Sequence, residues 1–337
     1  MPLLSSLAMT PPSTPVPVSP AAIAAAAELL RDGGVVAIPT ETVYGLGAVA
    51  MDPAAVRRVF AIKGRPANHP LIVHLGAADE LPEWARDIPE AAWRLAERFW
   101  PGPLTLVLPR QPRVPDEVTG GQDSVALRVP AQPVTRQLIA LAGPLAAPSA
   151  NRFGRVSPTT AQHVLAELGG DVDMILDAGP CQVGLESTIV SLLGGEPALL
   201  RPGRITVAEL EEVLGRPVAP PPQDLRAPGR LASHYAPSTP LELVPSADLL
   251  QRFAAPEGPQ GRVGVMAYSP GVIAAAMAAG AAVTPMPADA EEYGQQLYAT
   301  LRQLDAAGPE TVMVEAPPAS AEWLAVRDRL GRAAHRR

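Results

Sequence analysis

Short apolar runs alternate with amphipathic segments over the first two thirds of the chain. The run VVAIPT is rich in β-branched residues and predicts a buried strand. The preceding segment, SPAAIAAAAELLRDGG, begins with Ser-Pro and ends in Gly-Gly, which predicts a helix over residues 21–31. A second helix is predicted over DPAAVRRVFAIKG, with Asp52 as its N-cap and Pro53 at its first position. Helices and buried strands therefore follow one another closely.

The segment PLIVHL has the strict alternation of a strand with two different faces. Leu71, Val73 and Leu75 point one way, and Ile72 and His74 point the other. Strands and helices continue to alternate as far as the helix TVAELEEVLG, and ESTIVSLLGG and PALLRPG form a hairpin-like pair. Alternation combined with hairpins predicts an α/β fold built on an open, twisted, mixed sheet with helices.

Proline density marks the boundary between two predicted domains. Residues 216–240 (RPVAPPPQDLRAPGRLASHYAPSTP) lack periodicity and predict a linker. Three strand candidates, RVGVMAYS, AAVTPMP and TVMVEAP, follow with helical stretches, and they predict a smaller Rossmann-like α/β domain over residues 241–337. Residues 18–215 form the larger domain. Residues 1–17 lack a basic start and a proper apolar stretch, so we expect a disordered tail rather than a signal peptide.

The composition restricts the function classes. The net charge is −7, which argues against broad nucleic-acid binding because such binding needs a basic surface. The one cysteine, Cys181, excludes a disulfide framework and a cysteine-rich zinc site. The chain has no apolar run of about 18 residues, the length that a membrane span needs. We therefore expect a cytoplasmic enzyme.

The stretch FAIKGRPANHPLIVHL contains Lys63, which is the only lysine in the sequence. Lys63 and Arg65 end a predicted helix, where the helix dipole favours cations. A rigid, proline-bounded loop that holds an ammonium and a guanidinium is also suited to gripping phosphates. His69 and His74 raise the alternative of a metal site, but no Asp, Glu or Cys lies near them in sequence. We therefore favour the phosphate interpretation.

The segment PTETVYGLG places polar side chains where a buried strand ends, the edge at which open α/β sheets bind ligands. Thr42 and Tyr44 suit recognition of a small polar molecule, although Thr40 and Thr42 could equally bond to local backbone. The overlapping GLGAVA nearly fits the dinucleotide fingerprint. Its long polar turn and the missing acidic residue downstream argue against such a site. A Walker A sequence is also absent.

The loop APSANRFGRVSPTT is too long and too polar for a plain connection. It supplies Ser149, Asn151 and Ser157, and its cations Arg152 and Arg155 could join a cationic crevice. The chain has no G-x-S-x-G motif. Hydrogen bonding to a ligand is therefore favoured over covalent catalysis by a serine.

Two further arginines lie at or inside strands. Arg128 interrupts the apolar strand ALRVP, where it needs either a buried carboxylate partner or an anionic ligand. Arg201 leaves a strand in LLRPG, and Ser187 begins one in ESTIV. An acidic protein that gathers cations and hydroxyl groups at strand ends is suited to a polyanionic small molecule such as a nucleotide.

These motifs, from PTETVYGLG, KGRP and HPLIVHL through PGPLTLVL, ALRVP, APSAN, SPT, ESTIV and LRPG, occur in an order that resembles the YrdC-type L-threonylcarbamoyladenylate synthases. The trailing HYAP and the small α/β domain resemble the long, two-domain form of that family. The resemblance implies a YrdC-like catalytic domain. It also implies a reaction of L-threonine, bicarbonate and ATP, which gives threonylcarbamoyl-AMP and pyrophosphate. The product would pass to tRNA threonylcarbamoyl-transferase proteins, which modify N6 of the adenosine beside the anticodon.

The resemblance also implies roles for individual residues, without a covalent nucleophile. The residues expected to contact ATP are Lys63, Arg65, Ser124, Ser149, Asn151, Ser157, Arg201, His234 and Tyr235, the last two as a lid. Those expected to contact threonine are Thr42, Tyr44, His74, Arg128 and Ser187. Mg²⁺ is expected with ATP, and no residue is identified as a metal ligand. The family often has Asn at the position of His69, so no role is transferred to that residue.

Two other functions remain open at this point. One is an RNA-binding module of the same fold, which the negative charge does not favour; direct tRNA binding is therefore not expected. The other is carbamoyl transfer to a different acceptor, as in YrdC-like domains of hydrogenase-maturation proteins. Those proteins carry acylphosphatase and zinc-finger segments, and this chain has neither.

Overall fold

The computed structural model describes residues 14–222, 225–229, 234–256, 258–259 and 261–335. Most of the predicted N-terminal tail therefore lies outside the described residues, as do two short pieces of the predicted linker.

A ten-stranded mixed sheet forms the centre of the larger domain. The strands are β1 (Val16–Pro17), β2 (Val36–Ile38), β3 (Gly45–Val49), β4 (Ile72–His74), β5 (Leu104–Pro109), β6 (Ser124–Arg128), β7 (Leu145–Ala146), β8 (Met174–Asp177), β9 (Thr188–Ser191) and β10 (Ala198–Arg201). Their order in the sheet is β1-β8-β2-β3-β7-β4-β6-β5-β9-β10. β4 pairs with β6 in parallel, whereas β7 and β5 run antiparallel to these two strands. The prediction of an open mixed sheet is confirmed.

Among the described residues, eight α-helices surround this sheet. They are α1 (Pro20–Arg31), α2 (Pro53–Lys63), α3 (Leu81–Trp84), α4 (Glu90–Phe99), α5 (Asp116–Thr119), α6 (Pro133–Ala142), α7 (Ala161–Leu168) and α8 (Val207–Leu214). The carboxylate of Asp52 accepts from the backbone N–H groups of Ala54 and Ala55, so the predicted N-cap of α2 is confirmed. Gly64 ends the same helix with φ +61°, a left-handed conformation that favours glycine.

The two faces of β4 separate the core from the site. Leu71, Val73 and Leu75 pack into the largest apolar cluster of the domain. Ile72 and His74 lie on the opposite face and border a cavity. The alternation read from PLIVHL is therefore observed, and it fixes which side of the sheet can bind a ligand.

The start of the chain differs from the expected tail. Val16 and Pro17, assigned to a disordered segment from sequence, form the edge strand β1, which pairs in parallel with β8. Val16 and Val18 pack against the apolar cluster around α1, and this burial orders the segment.

The smaller domain is a four-stranded parallel sheet with helices. Its elements are β11 (Leu241–Val244), α9 (Ser246–Ala254), β12 (Val263–Ala267), α10 (Pro270–Ala278), β13 (Ala282–Pro285), α11 (Ala290–Ala307), β14 (Thr311–Glu315) and α12 (Leu324–Ala334). The sheet order is β11-β14-β12-β13, and its paired strands are all parallel, which confirms the predicted small α/β domain. The order differs from the 3-2-1-4-5-6 order of the Rossmann fold. Sequence reasoning missed β11, because LELV follows the proline-rich linker directly and is short. In the part of the chain that the structure describes, no helix has the length and apolar character to cross a membrane.

Candidate active site

A cavity opens on the face of β4 that carries His74. Its walls come from the larger domain and from the linker. The lining residues are Thr40, Thr42, Val43, Gly45, Arg65, Pro70, Leu71, Ile72, His74, Arg128, Ala147, Pro148, Ser149, Glu186, Ser187, Arg201, Pro228, Gly229, His234 and Tyr235.

One end of the cavity is built around Arg128, whose Cα pairs with that of His74 across β6 and β4. The Arg128 guanidinium lies 2.6 Å from Glu41 Oε1, and both side chains are buried. It also donates to Thr42 Oγ1 at 2.9 Å and to the carbonyl oxygen of Gly102 at 3.2 Å. The carboxylate partner that a buried arginine requires is therefore present.

His74 is buried beside Arg128 and faces the cavity. Burial, reinforced by the positive charge of Arg128, lowers the pKa of His74 to about 3. The imidazole is therefore neutral at physiological pH. Its Nδ1 atom has no hydrogen-bond partner among the described residues.

In the segment between β2 and β3, Thr40 and Thr42 line the cavity, whereas Tyr44 only stabilises the fold. Thr40 Oγ1 lies 2.8 Å from Thr42 Oγ1 and donates to the carbonyl oxygen of Val43, which is the local bonding that turn residues provide. Tyr44 does not line the cavity. Its hydroxyl donates to the carbonyl oxygen of Gly179 at 2.7 Å, which links the residue before β3 to the segment after β8.

The other end of the cavity lies next to Lys63, the last residue of α2. Lys63 Nζ donates to the carbonyl oxygens of Ser149 and Asn151 at 2.5 and 2.6 Å. Ser149 lines the cavity, so the buried ammonium lies directly behind this wall. Burial, followed by repulsion from Arg65, lowers the pKa of Lys63 well below its ordinary value. An anion bound nearby would raise it again.

Arg65 and Arg201 line the same end of the cavity. Arg65 donates to the carbonyl oxygen of Pro70 at 2.9 Å, and burial lowers its pKa to about 10, so it stays charged at neutral pH. Arg201 donates to the carbonyl oxygen of Ser187 and to its hydroxyl, both at 3.1 Å. Within the described ranges, none of the cations Lys63, Arg65 and Arg201 forms an ion pair with a carboxylate.

The other predicted ATP residues, Asn151, Ser157 and Ser124, do not line the cavity. Asn151 donates to the carbonyl oxygens of Arg152 and Arg155 and so closes its own loop, while its Oδ1 has no partner in the described part of the chain. Ser157 is buried behind the cavity. Ser124 begins β6, is also buried, and does not line the cavity.

Arg152 and Arg155, which the sequence suggested as further cations of the crevice, lie outside it. Arg152 is ion-paired with Asp171, and Arg155 lies 3.5 Å from Asp305. All four side chains are partly exposed to solvent, so the cations are satisfied at the surface. They do not add to the charge of the cavity.

The predicted lid residues His234 and Tyr235 are buried in the cavity wall. The His234 ring packs edge-on against Phe153 and Tyr235, with centroids 6.0 and 4.1 Å apart. Burial lowers the pKa of His234 to about 3. Gly229, with φ +79°, lies so close that a Cβ there would be 2.2 Å from the Tyr235 hydroxyl. Only glycine allows this approach of the two linker segments.

Glu186 is a cavity residue that sequence reasoning missed. It lies in GLESTIV just before β9, and an acidic residue between an apolar residue and two hydroxyls was the available signal. Burial opposes its ionisation, but Arg329 and Arg201 outweigh this effect and lower its pKa to about 2. Glu186 is therefore a fixed negative charge beside the cationic end.

The described residues do not fit a protein-held metal ion. Among them, no group of three or more His, Cys, Asp or Glu side chains is arranged to hold one. Mg²⁺ needs several oxygen ligands in octahedral geometry, commonly carboxylates together with substrate phosphates and water.

Comparisons with known proteins cover both domains. The Sua5_yciO_yrdC family profile, described as telomere recombination, matches residues 28–203. The Sua5_C profile, described as the C-terminal domain of threonylcarbamoyl-AMP synthase, matches residues 205–335.

Individual relatives agree with these profiles. The threonylcarbamoyl-AMP synthase of Pyrococcus abyssi is 40% identical over 324 residues, which are 91% of this chain and 92% of that protein. The crystal structure of P. abyssi Sua5 complexed with L-threonine matches with a TM-score of 0.86 at 38% identity, over 96% of this chain and 98% of that chain. The putative threonylcarbamoyl-AMP synthase of Mycobacterium tuberculosis is 37% identical over 193 residues, which are 57% of this chain and 89% of that protein.

Proposed function

The chain belongs to the Sua5/YciO/YrdC family, and we propose that it is a threonylcarbamoyl-AMP synthase that joins L-threonine, bicarbonate and ATP. The relatives that carry this name are similar over both domains and nearly their whole length, which supports the same activity here. The products are threonylcarbamoyl-AMP, pyrophosphate and water.

One observation carries the assignment: the cavity has a neutralised end and a cationic end. Arg128 is paired with Glu41 at the first end. Lys63, Arg65 and Arg201 gather at the second, where carbonyl and hydroxyl oxygens are their hydrogen-bond acceptors. A triphosphate supplies the anionic oxygens that such a cluster of donors lacks.

We assign the Arg128 end to threonine. Its carboxylate would meet the free N–H groups of the Arg128 guanidinium, and its hydroxyl and amine would find Thr42 and His74 as hydrogen-bond partners. Ser187, which the resemblance also assigned to threonine, accepts hydrogen bonds from Arg201 at the cationic end. The complex of P. abyssi Sua5 with L-threonine supports an amino-acid site in this fold. Tyr44 acts indirectly in this assignment, because its hydroxyl bonds to backbone and fixes the strand that carries the site.

We assign the cationic end to ATP. Arg65 and Arg201 would hold the phosphates from the cavity wall, and the ammonium of Lys63 would add its charge from directly behind Ser149. The Ser149 hydroxyl would be available for the nucleoside, whereas Asn151 is buried outside the cavity lining. His234 and Tyr235 would close over it from the linker. Ser157 and Ser124 are buried and do not line the cavity, so they would not touch the nucleotide in this arrangement.

The chemistry needs positioning and charge stabilisation rather than a protein nucleophile. The ammonium group of threonine first releases a proton to solvent. The amine nitrogen then bonds to the carbon of bicarbonate, and the bicarbonate hydroxyl leaves as water with one amine proton, which gives a carbamate. A carbamate oxygen then attacks the α-phosphorus, and the bond to the bridging oxygen breaks with release of pyrophosphate. The neutral His74 can accept a hydrogen bond from the amine. The fixed cations stabilise the charge that builds on the leaving pyrophosphate.

Mg²⁺ would arrive with the ATP phosphates, since the described residues offer no acidic cluster for it. The product would pass in the cytoplasm to the proteins that transfer threonylcarbamoyl to tRNA. The net charge of −7 does not favour direct tRNA binding by this chain.

The test is a pyrophosphate-release assay on the full chain, with mass spectrometry of the nucleotide product. We expect release, and a product of the mass of threonylcarbamoyl-AMP, only when ATP, L-threonine and bicarbonate are all present. Pyrophosphate release at an equal rate without threonine would refute the proposal.

A further inference from the structure

A single buried carboxylate joins the two domains beside the cationic end of the cavity. Glu186 Oε1 accepts from the Ser157 hydroxyl at 2.6 Å, a contact within the larger domain. Glu186 Oε2 accepts from the Tyr298 hydroxyl at 2.9 Å and from Arg329 Nε at 2.8 Å. Tyr298 lies on α11 and Arg329 on α12, so both come from the smaller domain. We call these four residues the Glu186 cluster.

The same two residues of the smaller domain hold Tyr235. The Tyr235 ring stacks on the ring of Tyr298, with centroids 5.8 Å apart and an interplanar angle of 28°. On its face lies the Arg329 guanidinium, 5.1 Å from the ring centroid. Tyr298 and Arg329 therefore contact the linker and the Glu186 carboxylate at once.

The backbone of Tyr235 shows why this support matters. Its φ is +60°, in the left-handed region that side-chain-bearing residues seldom adopt. Such a conformation costs on the order of 1–3 kcal/mol and persists only where the surroundings impose it. In the described chain, those surroundings are the aromatic and guanidinium groups of the smaller domain, together with the closely packed Gly229.

The Glu186 cluster is better explained as fixing the positions of its members than as adding to the stability of the fold. A buried ion pair costs desolvation and is often no better for stability than apolar residues of the same volume. A fully satisfied buried network, however, admits one arrangement of its members. Arg329 also donates to Asp328 and to the carbonyl oxygen of Pro202, so the position of its guanidinium is fixed on every side.

We propose that Arg329 and Tyr298 are positioning residues for nucleotide binding. Through Glu186 they fix Ser157 behind the cationic end, and through Tyr235 they fix the His234 segment in its wall. The proposal rests on the proposed function, because it takes that end to bind ATP. The Arg128 end has its hydrogen-bond and ion-pair partners within the larger domain, so threonine binding should not depend on these two residues.

The test compares Tyr298→Phe, Arg329→Gln and Arg329→Lys with a matched control, Arg252→Gln. Arg252 also pairs with a glutamate in the smaller domain, Glu242 at 2.8 Å, but this pair is exposed and does not line the cavity. Dissociation constants for a non-hydrolysable ATP analogue and for L-threonine are measured separately by calorimetry on the full chain. Melting temperatures are recorded for every variant.

We expect Arg329→Gln to weaken binding of the ATP analogue about tenfold or more, which is the effect of removing one charge-assisted hydrogen bond. Arg329→Lys should recover part of this affinity, because it keeps the charge beside Glu186 but not the planar stacking on Tyr235. Tyr298→Phe keeps its ring and loses one donor, so about a threefold loss is expected. Threonine affinity should stay within about twofold in all of them, and Arg252→Gln should match the wild type.

Three results would overturn the proposal. One is unchanged affinity for the ATP analogue in folded Tyr298→Phe and Arg329→Lys. Another is an equal loss of affinity for both ligands that correlates with a lower melting temperature, as expected if the cluster only joins the domains. The third is a loss of ATP affinity in Arg252→Gln equal to that in Arg329→Gln. If Arg329→Gln fails to fold, Tyr298→Phe decides. These binding measurements are independent of pyrophosphate release, so a wild type that binds both ligands without turnover would refute the synthase assignment alone.

Discussion

The two ends of the cavity differ in how their cations are compensated. At the Arg128 end, which we assign to threonine, the buried Arg128 has a carboxylate partner, Glu41, at 2.6 Å. At the cationic end, which we assign to ATP, Lys63, Arg65 and Arg201 donate to carbonyl and hydroxyl oxygens. The first end is close to neutral and fits a zwitterionic amino acid. The second has excess positive charge and fits a polyanion.

The two ends also differ in which parts of the chain build them. The Arg128 end consists of β4, β6 and the segment before β3. The cationic end adds the linker residues Gly229, His234 and Tyr235, held from behind by the smaller domain. The putative threonylcarbamoyl-AMP synthase of M. tuberculosis matches 57% of this chain. The contacts of Tyr298 and Arg329 with Tyr235 are the observations behind the proposal that the smaller domain positions the cationic end.

The largest expected effect is a loss of ATP binding on removal of a cation from the cationic end. Lys63→Ala should weaken ATP binding by about 10- to 100-fold, the range for loss of one charge-assisted hydrogen bond, and leave threonine binding unchanged. Calorimetry with each ligand alone measures this split. Arg152→Ala is the control, because Arg152 lies on the neighbouring loop but pairs with Asp171 at the surface. Equal losses for both ligands would contradict the division of the cavity.

The next effect concerns the neutralised end. Arg128→Gln should weaken threonine binding about tenfold and lower the free energy of unfolding by about 3–5 kcal/mol, because it leaves Glu41 buried without its partner. Adding Glu41→Gln should restore much of the stability but not threonine affinity. Denaturant unfolding and calorimetry separate the two quantities. Restored threonine affinity in the double variant would show that Arg128 does not bind the carboxylate.

A smaller effect links ATP binding to pH. The pKa of Lys63 is depressed in the free protein, and bound phosphates would raise it. Binding is then accompanied by proton uptake, so ATP affinity is highest at pH values below the depressed pKa and falls as the pH rises through it. Calorimetry in buffers of different ionisation enthalpy detects the uptake. Lys63→Ala should abolish it, and uptake that persists in this variant would assign the proton to another group.

The last effect is confined to acid pH and comes from the neutral histidines of both ends. Burial lowers the pKa values of His74 and His234 to about 3. In the unfolded chain the histidine pKa values are near 6.5, so between about pH 3 and pH 6.5 the unfolded chain binds more protons than the folded protein. The free energy of unfolding is fully retained above this window and falls as the pH drops through it, by about 1.4 kcal/mol per pH unit and proton. His234→Gln should reduce this slope in acid denaturation, and an unchanged slope would contradict the burial argument.

Local patterns predicted most of the fold. The alternation in PLIVHL fixed which side chains of β4 face the cavity, and the Asp-Pro start of α2 predicted its N-cap. The short strand β11 was missed, because four residues after a proline-rich stretch carry little periodicity. The order of strands in the larger sheet also depends on long-range pairing that no local pattern contains.

The site was predictable where residues of one motif act together, and not where partners are distant in sequence. Lys63 stood out as the one lysine in the sequence, and Arg65 belongs to the same motif. Glu186 and its partner Arg329 are separated by 143 residues, and nothing in α12 marks one of its arginines as buried. The carboxylate that Arg128 requires was expected in kind, but Glu41 could be identified only from the fold.

The most direct test is a crystal structure of the full chain with L-threonine and a non-hydrolysable ATP analogue bound together. We expect phosphate oxygens within hydrogen-bond distance of Lys63, Arg65 and Arg201, and the threonine carboxylate at the Arg128 guanidinium. Phosphates bound at Arg128, or a nucleotide bound away from all three cations, would contradict the account.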